Sequence, residues 1–364
     1  MTTWKIINGG LFTGDGWFDN AVIGTDNGRI VYLEMGDQAD NILDLQGGNL
    51  VPAFIDIQLY GGNGLLFGEH PSQESLQATV DSARAGGASL ILPTVATHTN
   101  EVVYEAIDAV RQYWAQGGRG VAGLHLEGPF LNKAKKGAHA ENRIQAPTIE
   151  AIKNLVDYGR GVVKIMTIAP ECFSPESLDY MQSKGILLSL GHSNASYEEA
   201  MLAFDRGIPL ATHLYNAMSG LQHRAPGAVG AIFDHPRVMA SIVADGYHVA
   251  AAAIRIAKKI MGDRLFLITD AVAQNAAGYY QHRLDGNRYV MPDGTLSGSA
   301  LTMRKAVSYC VEQVGIEFGE ALRMASMYPA RALGISQQHG KIAPGYWSEC
   351  AILYPDGSST IKVL

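Results

Sequence analysis

Cysteine is scarce in this chain. Cys172, Cys310 and Cys350 are the only three in 364 residues, far apart and without Cys-x-x-Cys spacing. That excludes a disulfide framework and a zinc–thiolate site and fits a reducing compartment. No window reaches 18 uninterrupted apolar residues, so no membrane-spanning helix is expected. The opening MTTWKIINGG has no long apolar stretch of the signal-peptide kind, and a cytoplasmic protein is the expectation. Charge is also thin. Charged residues are 17% of the chain, and 28 Lys+Arg against 35 Asp+Glu leave a net charge of -7, with no global positive field to hold nucleic acid or an anionic membrane. A local cationic pocket stays open to it. The 41 glycines follow no Gly-X-Y period and form no Gly/Ser tract, which excludes collagen and long flexible linkers and leaves many tight turns.

What is abundant is apolar sequence, at 47% of the chain, an amount that suits one large core with an appendage better than several small domains. The first fifty residues read as short β-segments (4–7, 21–24, 29–33) separated by turns such as TGDGW and TDNGR. From residue 50 the rhythm changes. Eight apolar strands are expected at 50–59, 88–97, 121–130, 162–170, 185–194, 209–218, 239–248 and 265–273, with amphipathic helices at 73–85, 101–114, 148–158, 196–206 and 249–261. Continuous apolar strands alternating with helices imply a parallel sheet buried on both faces, and eight such units imply a closed (β/α)8 barrel, with an open doubly wound sheet as the alternative. A long loop at 274–298 with hairpin texture follows, then helices at 302–314 and 318–333. The tail resembles the opening in texture. The expected division is a small β-sandwich domain made of 1–49 and 335–364, and a barrel over 50–334.

In such a barrel the C-terminal strand ends form the mouth of the active site. The polar residues ending the apolar runs are Gln58 and Tyr60 on the first strand, His125 and Glu127 on the third, His192 on the fifth, His213 and Asn216 on the sixth, Asp245 and His248 on the seventh and Asp270 on the eighth. Glu127, His192 and His213 supply one carboxylate and two imidazoles from three strands, the donor set of a divalent metal that keeps a position open for water. Such an ion lowers the pKa of its water to about 7. Asp270 then has the role of general base, taking the water proton and returning it to a leaving amine. His125 shares a strand face with Glu127 and is read as supporting or packing rather than ligating. His70, His98, His223, His235, His282 and His339 form no constellation and are read as structural or surface residues.

The segments HLEGPF (125–130), KKGAH (135–139), LGHSNA (190–195), ATHLYNAM (211–218), RAPG (224–227), ADGYH (244–248), TDA (269–271) and LSGSALTM (296–303) resemble, in order and over nearly the whole chain, those of the N-acetylglucosamine-6-phosphate deacetylase family of the amidohydrolase superfamily. The resemblance implies hydrolysis of the 2-acetamido group of a sugar phosphate to the free amine and acetate. It implies Glu127, His192 and His213 as metal ligands and Asp270 as the catalytic aspartate. His139, with Ala138, matches the position beside the acetamido group, where an imidazole N–H polarises the carbonyl. Asn216, Ala217, Asp245 and His248 match positions facing the sugar phosphate, and Leu296, Ser297 and Gly298 a substrate-lining stretch. Arg224 matches an arginine that reaches the phosphate in the neighbouring subunit, so a homodimer is implied. A planar guanidinium and backbone N–H groups bind a phosphate dianion within a chain of net charge -7.

Many amidohydrolases carry His-x-His at the end of the first strand and build a second metal position there. Gln58 and Tyr60 stand in those places, so one metal ion per subunit is expected, Zn²⁺ first, with Fe²⁺, Mn²⁺ or Co²⁺ sharing the ligand set. Tyr60 is expected to narrow the mouth or to hydrogen-bond the water at the metal. Three rival readings stand beside the gluco-deacetylase: a deacetylase for the galacto epimer, a cyclic-amide hydrolase, and a catalytically silent binding protein. The cyclic-amide reading needs a bridging lysine, and Lys164 lies too deep in the fourth strand.

Overall fold

A computed structural model describes residues 1–364. Eight parallel strands form one sheet: β1 (Phe54–Leu59), β2 (Ala88–Ala96), β3 (Leu124–Glu127), β4 (Val163–Ile168), β5 (Leu187–Leu190), β6 (Leu210–Ala211), β7 (Met239–Val243) and β8 (Leu265–Ile268), each paired to the next in chain order. The sheet closes on itself just past its strand ends, where Asp270 N–H donates to Gln58 O at 2.9 Å and Tyr60 N–H to Ala271 O at 2.8 Å. The barrel reading therefore holds, and the open sheet does not. Phe54, Ile91, Leu126, Ile165, Leu188 and Phe266 are all buried, as a sheet covered on both faces requires.

The five expected helices are present at Gln73–Ala85, Asn100–Ala115, Ile149–Tyr158, Tyr197–Asp205 and Ala251–Met261. Four begin on a capping hydroxyl, Ser72, Thr99, Thr148 and Ser196, each accepting a first-turn backbone N–H. Two further helices carry too little polar periodicity to be read from sequence. Pro175–Ser183 is short, and Gly227–Asp234 is apolar nearly all round because it is buried along most of its length. The expected helix over 318–333 is two helices, Phe318–Ala325 and Met327–Ala332, broken where Ser326 takes φ -129° and ψ -69°.

The expected first strand over 50–59 also divides. Asn49–Pro52 belongs to a five-stranded sheet of the small β unit, where it pairs with Glu349–Leu353 with Val51 opposite Ala351. A four-stranded sheet built on Thr2–Ile7 and Ala21–Asp26 faces it, and Ile6, Leu11, Ile23, Leu50 and Ile352 pack between them. Ala53 is the hinge between this unit and β1. After β8 the chain forms an antiparallel flap, Arg283–Asp285, Arg288–Val290 and Leu296–Ser299, anchored where Ser299 N–H donates to Asp270 O at 2.9 Å. No helix is long and apolar enough to cross a membrane.

One glycine shows how tightly the strand ends are packed. A Cβ on Gly191 would lie 2.6 Å from the Thr167 methyl and 3.0 Å from Thr212 Cβ, between β4 and β6. Gly191→Ala is expected to cost about 2 kcal/mol through overpacking, read as a lower midpoint in thermal unfolding.

Candidate active site

The residues that end the strands leave regular geometry to do so. His192, His213 and Asp270 sit at φ 47°, 37° and 55°, a left-handed region costly for residues with a Cβ. These turns swing the side chains from the barrel wall over its axis. The result is a cavity of about 950 Å³, including its open mouth, at the C-terminal end of the barrel. Glu127, His139, His192, His213, Asn216, Ala217, His248, Asp270, Leu296, Ser297, Gly298, Tyr60 and Ala138 all line it. Asp245 stands behind His248, its carboxylate 2.6 Å from His248 Nδ1. Gln58 and His125 lie buried beneath the floor, and Arg224 is exposed outside this chain's cavity.

Glu127 is the centre of the cluster. Its Oε1 lies 2.9 Å from His213 Nε2 and 3.4 Å from His192 Nε2, and the two imidazole nitrogens are 3.1 Å apart. Its Oε2 accepts from His139 Nε2 at 3.0 Å and from the Tyr60 hydroxyl. Gln58 Nε2 lies 3.0 Å from Glu127 Oε1, 2.9 Å from Asp270 Oδ1 and 3.0 Å from the Tyr60 hydroxyl. Tyr60, in the cavity wall, is thus tied to the carboxylate itself.

Tautomers follow from the partners. His192 Nδ1 is 2.8 Å from Lys135 O, which can only accept, so Nδ1 carries the hydrogen and Nε2 presents a lone pair to the cavity. His139 is the reverse: the Thr97 backbone N–H donates to its Nδ1 at 3.2 Å, which leaves the hydrogen on Nε2. Two buried donor sets overlap here, Glu127 with His192 and His213, and Glu127 with His139 and His192.

Burial dominates the electrostatics. It works to raise Glu127, but the imidazoles of His192 and His139 outweigh it and hold the carboxylate well below its usual range. Burial, reinforced by His192, pushes His139 down to about 4. Burial raises Asp270, and His213 pulls it back in part.

Two histidines read from sequence as structural or surface residues are in the cavity wall. His98 and His282 both line it. His282 Nδ1 is 2.9 Å from Ser297 Oγ, and its ring stacks on Tyr280 at 6.3 Å. Burial pushes His282 down to about 4, so it is a neutral hydrogen-bonding group there. Glu69 and Tyr280 also line the cavity, joined where Tyr280 N–H donates to Glu69 at 3.1 Å. His98 does follow the end of β2, a strand-end signal that could have found it, whereas the segment after β8 brings Tyr280 and His282 over the mouth from outside the barrel, where no strand-end pattern marks them.

A parallel barrel with a carboxylate–imidazole cluster at its C-terminal mouth defines a class, and the family comparison agrees: the amidohydrolase family model matches residues 49–354, and the chain belongs to that family. Within it, the chain is 37% identical to an N-acetylglucosamine-6-phosphate deacetylase of Haemophilus influenzae, over 86% of this chain and 84% of that protein. It is 35% identical to an N-acetylgalactosamine-6-phosphate deacetylase of a Shewanella species, over 83% of this chain and 78% of the other. The crystal structure of the N-acetylglucosamine-6-phosphate deacetylase from Pasteurella multocida superimposes with a TM-score of 0.92 at 32% identity, covering 100% of both chains.

Proposed function

We propose that this protein is a metal-dependent deacetylase of N-acetyl-D-glucosamine 6-phosphate, yielding D-glucosamine 6-phosphate and acetate. The observation that carries the reading is the triangle of Glu127 Oε1, His192 Nε2 and His213 Nε2, with edges of 2.9, 3.1 and 3.4 Å, set in a chain whose relatives are deacetylases of N-acetylated hexosamine 6-phosphates. Tetrahedral ligands at about 2.0–2.1 Å from one ion stand roughly 3.3–3.4 Å apart, and the triangle's edges, at or below that span, fit three residues that would share one ion. His139 is the poorer ligand, because its Nε2 carries a hydrogen and donates it to Glu127.

Glu127, His192 and His213 would hold a divalent ion, Zn²⁺ first among the candidates, which when bound would supply Lewis acidity to the amide carbonyl and to a water. Asp270 takes the water proton and returns it to the leaving nitrogen; Gln58 Nε2, at 2.9 Å, holds the carboxylate in place. His139 Nε2–H turns to the carbonyl oxygen as negative charge develops there, and Ala138 lines the wall beside it. Asn216, Ala217, His248 oriented by Asp245, and the stretch Leu296, Ser297 and Gly298 receive the sugar phosphate. Arg224, exposed on this chain, supplies a guanidinium to the partner's phosphate in a homodimer. The catalytic unit is the barrel, which runs from the Ala53 junction rather than from 50 and on to 334, with the preceding residues, Asn49–Pro52 among them, and 335–364 as its companion domain in a cytoplasmic enzyme. Gln58 amide and Tyr60 hydroxyl fill the place of a second metal, and one ion per chain is expected by elemental analysis.

The galacto epimer is the second reading, since the Shewanella relative bears that name. Turnover of the two 6-phosphates and of unphosphorylated N-acetylglucosamine by purified protein separates them. The gluco 6-phosphate is expected to have the highest kcat/KM. A higher value for the galacto epimer reverses the assignment, and equal turnover without phosphate removes the phosphate subsite. His139→Asn is expected to lower kcat by about 10²-fold, the scale of losing one oxyanion donor, with metal content unchanged.

A further inference from the structure

Directly beneath the cluster runs a chain of buried hydrogen bonds that the chemistry above does not use. His125 Nδ1 lies 2.9 Å from Ile57 O, and His125 Nε2 lies 2.8 Å from Thr167 Oγ1. Thr167 Oγ1 is 2.7 Å from Thr212 Oγ1, which is 2.6 Å from Ser189 Oγ. All four side chains are at most 2% exposed. The direction of every bond is forced. A carbonyl oxygen only accepts, so His125 Nδ1 carries the hydrogen, and in a neutral ring Nε2 must accept from the Thr167 hydroxyl. Thr167 has then used its only hydrogen and accepts from Thr212, which in turn accepts from Ser189. Four bonds run one way, from Ser189 to Ile57 O.

The places of these residues give the chain its meaning. Ile57 immediately precedes Gln58, His125 stands two residues before Glu127, Thr212 immediately precedes His213, and Ser189 stands three before His192. One polar layer therefore joins every strand that carries a member of the cluster other than Asp270, with β4 as a bridge through Thr167. A neighbouring bond extends it: His213 N–H donates to Ser241 Oγ on β7 at 2.8 Å.

We propose that this one-directional chain, pivoting on His125 and Thr167, is a positioning device that sets the spacing of Glu127, His192 and His213 before a metal arrives. The proposal rests on the reading of those three residues as ligands. Thr167 and His125 touch neither ion nor substrate and act through the strands they tie together. A packed apolar layer would fill the same space, but it would not fix the relative heights of five strands by donors and acceptors that pair in one order only.

The test is Zn²⁺ binding to the metal-free protein, measured by competition with a chelating chromophore, beside thermal unfolding and steady-state kinetics. Thr167→Val keeps shape and leaves His125 Nε2 without a donor and the Thr212 hydroxyl hydrogen without an acceptor. It is expected to weaken Zn²⁺ binding by roughly 10–100-fold and to lower kcat by a similar factor, the scale of losing a supporting contact at a metal site, with KM changed less than about twofold. Thr167→Ser is expected to restore both. Wild-type Zn²⁺ affinity in folded Thr167→Val, or failure of Thr167→Ser to restore it, overturns the proposal and leaves the layer a packing feature. If Thr167→Val does not fold, Ser189→Ala carries the test, since it removes the terminal donor and strands no other one. Weaker Zn²⁺ binding there supports the chain, and unchanged binding overturns it. Zn²⁺ binding is read without substrate, so a protein that binds the ion in this Thr167-dependent way yet releases no acetate contradicts the proposed reaction and not the positioning role.

Discussion

Asp270→Asn is expected to lower kcat by about 10²–10⁴-fold while leaving the fold and the metal content intact. The amide oxygen of Asn can still accept from Gln58 Nε2, which in the native chain lies 2.9 Å from Asp270 Oδ1, so the local scaffold loses no partner. What disappears is a carboxylate able to take a proton from water and deliver it to nitrogen. The effect belongs in kcat rather than KM, because the group acts in the transition state. The pH profile makes the same point. Burial raises the native carboxyl above its usual range, with His213 opposing. Protonation removes the base, so kcat/KM should fall toward acid pH, and that acid limb should be missing from the residual rate of Asp270→Asn.

The second large effect is expected from His192→Asn, which should remove metal and activity together. His192 presents Nε2 to the cavity because Lys135 O, at 2.8 Å, takes the hydrogen of Nδ1. Asparagine is too short to put a donor atom in that place. With one of three ligands gone, bound Zn²⁺ is expected to fall well below one per chain. Activity is expected to fall by roughly 10³-fold or more, since an ion contributes several kcal/mol to the transition state and each 1.36 kcal/mol is tenfold. Retention of metal with full activity would show that His139, not His192, completes the site.

Much of this was legible in sequence for a physical reason. Barrel strands buried on both faces are apolar throughout, so a His or a carboxylate at the end of one stands out, and Glu127, His192, His213 and Asp270 do so in order along the chain. The cavity brings them together. His98 follows the end of β2 and carried the same strand-end signal, unread, whereas His282 was not legible as a cavity residue, since it reaches the mouth only through the flap, which is anchored where Ser299 pairs with the Asp270 carbonyl. The role of Tyr60 was half legible: its departure from His-x-His is plain in the sequence, but its bond to Glu127 requires the barrel to close and set β1 near β3. The helix Gly227–Asp234 shows the same limit from the other side, since burial along most of its length removes the polar face that periodicity needs.

The most direct measurement is the release of acetate and free amine from N-acetyl-D-glucosamine 6-phosphate by purified protein, first stripped by chelator and then reloaded with Zn²⁺. Acetate and glucosamine 6-phosphate are expected in equal amounts from the reloaded protein, and almost none from the stripped one. No acetate from a folded, metal-loaded protein, or undiminished release after complete metal removal, would contradict the proposed function.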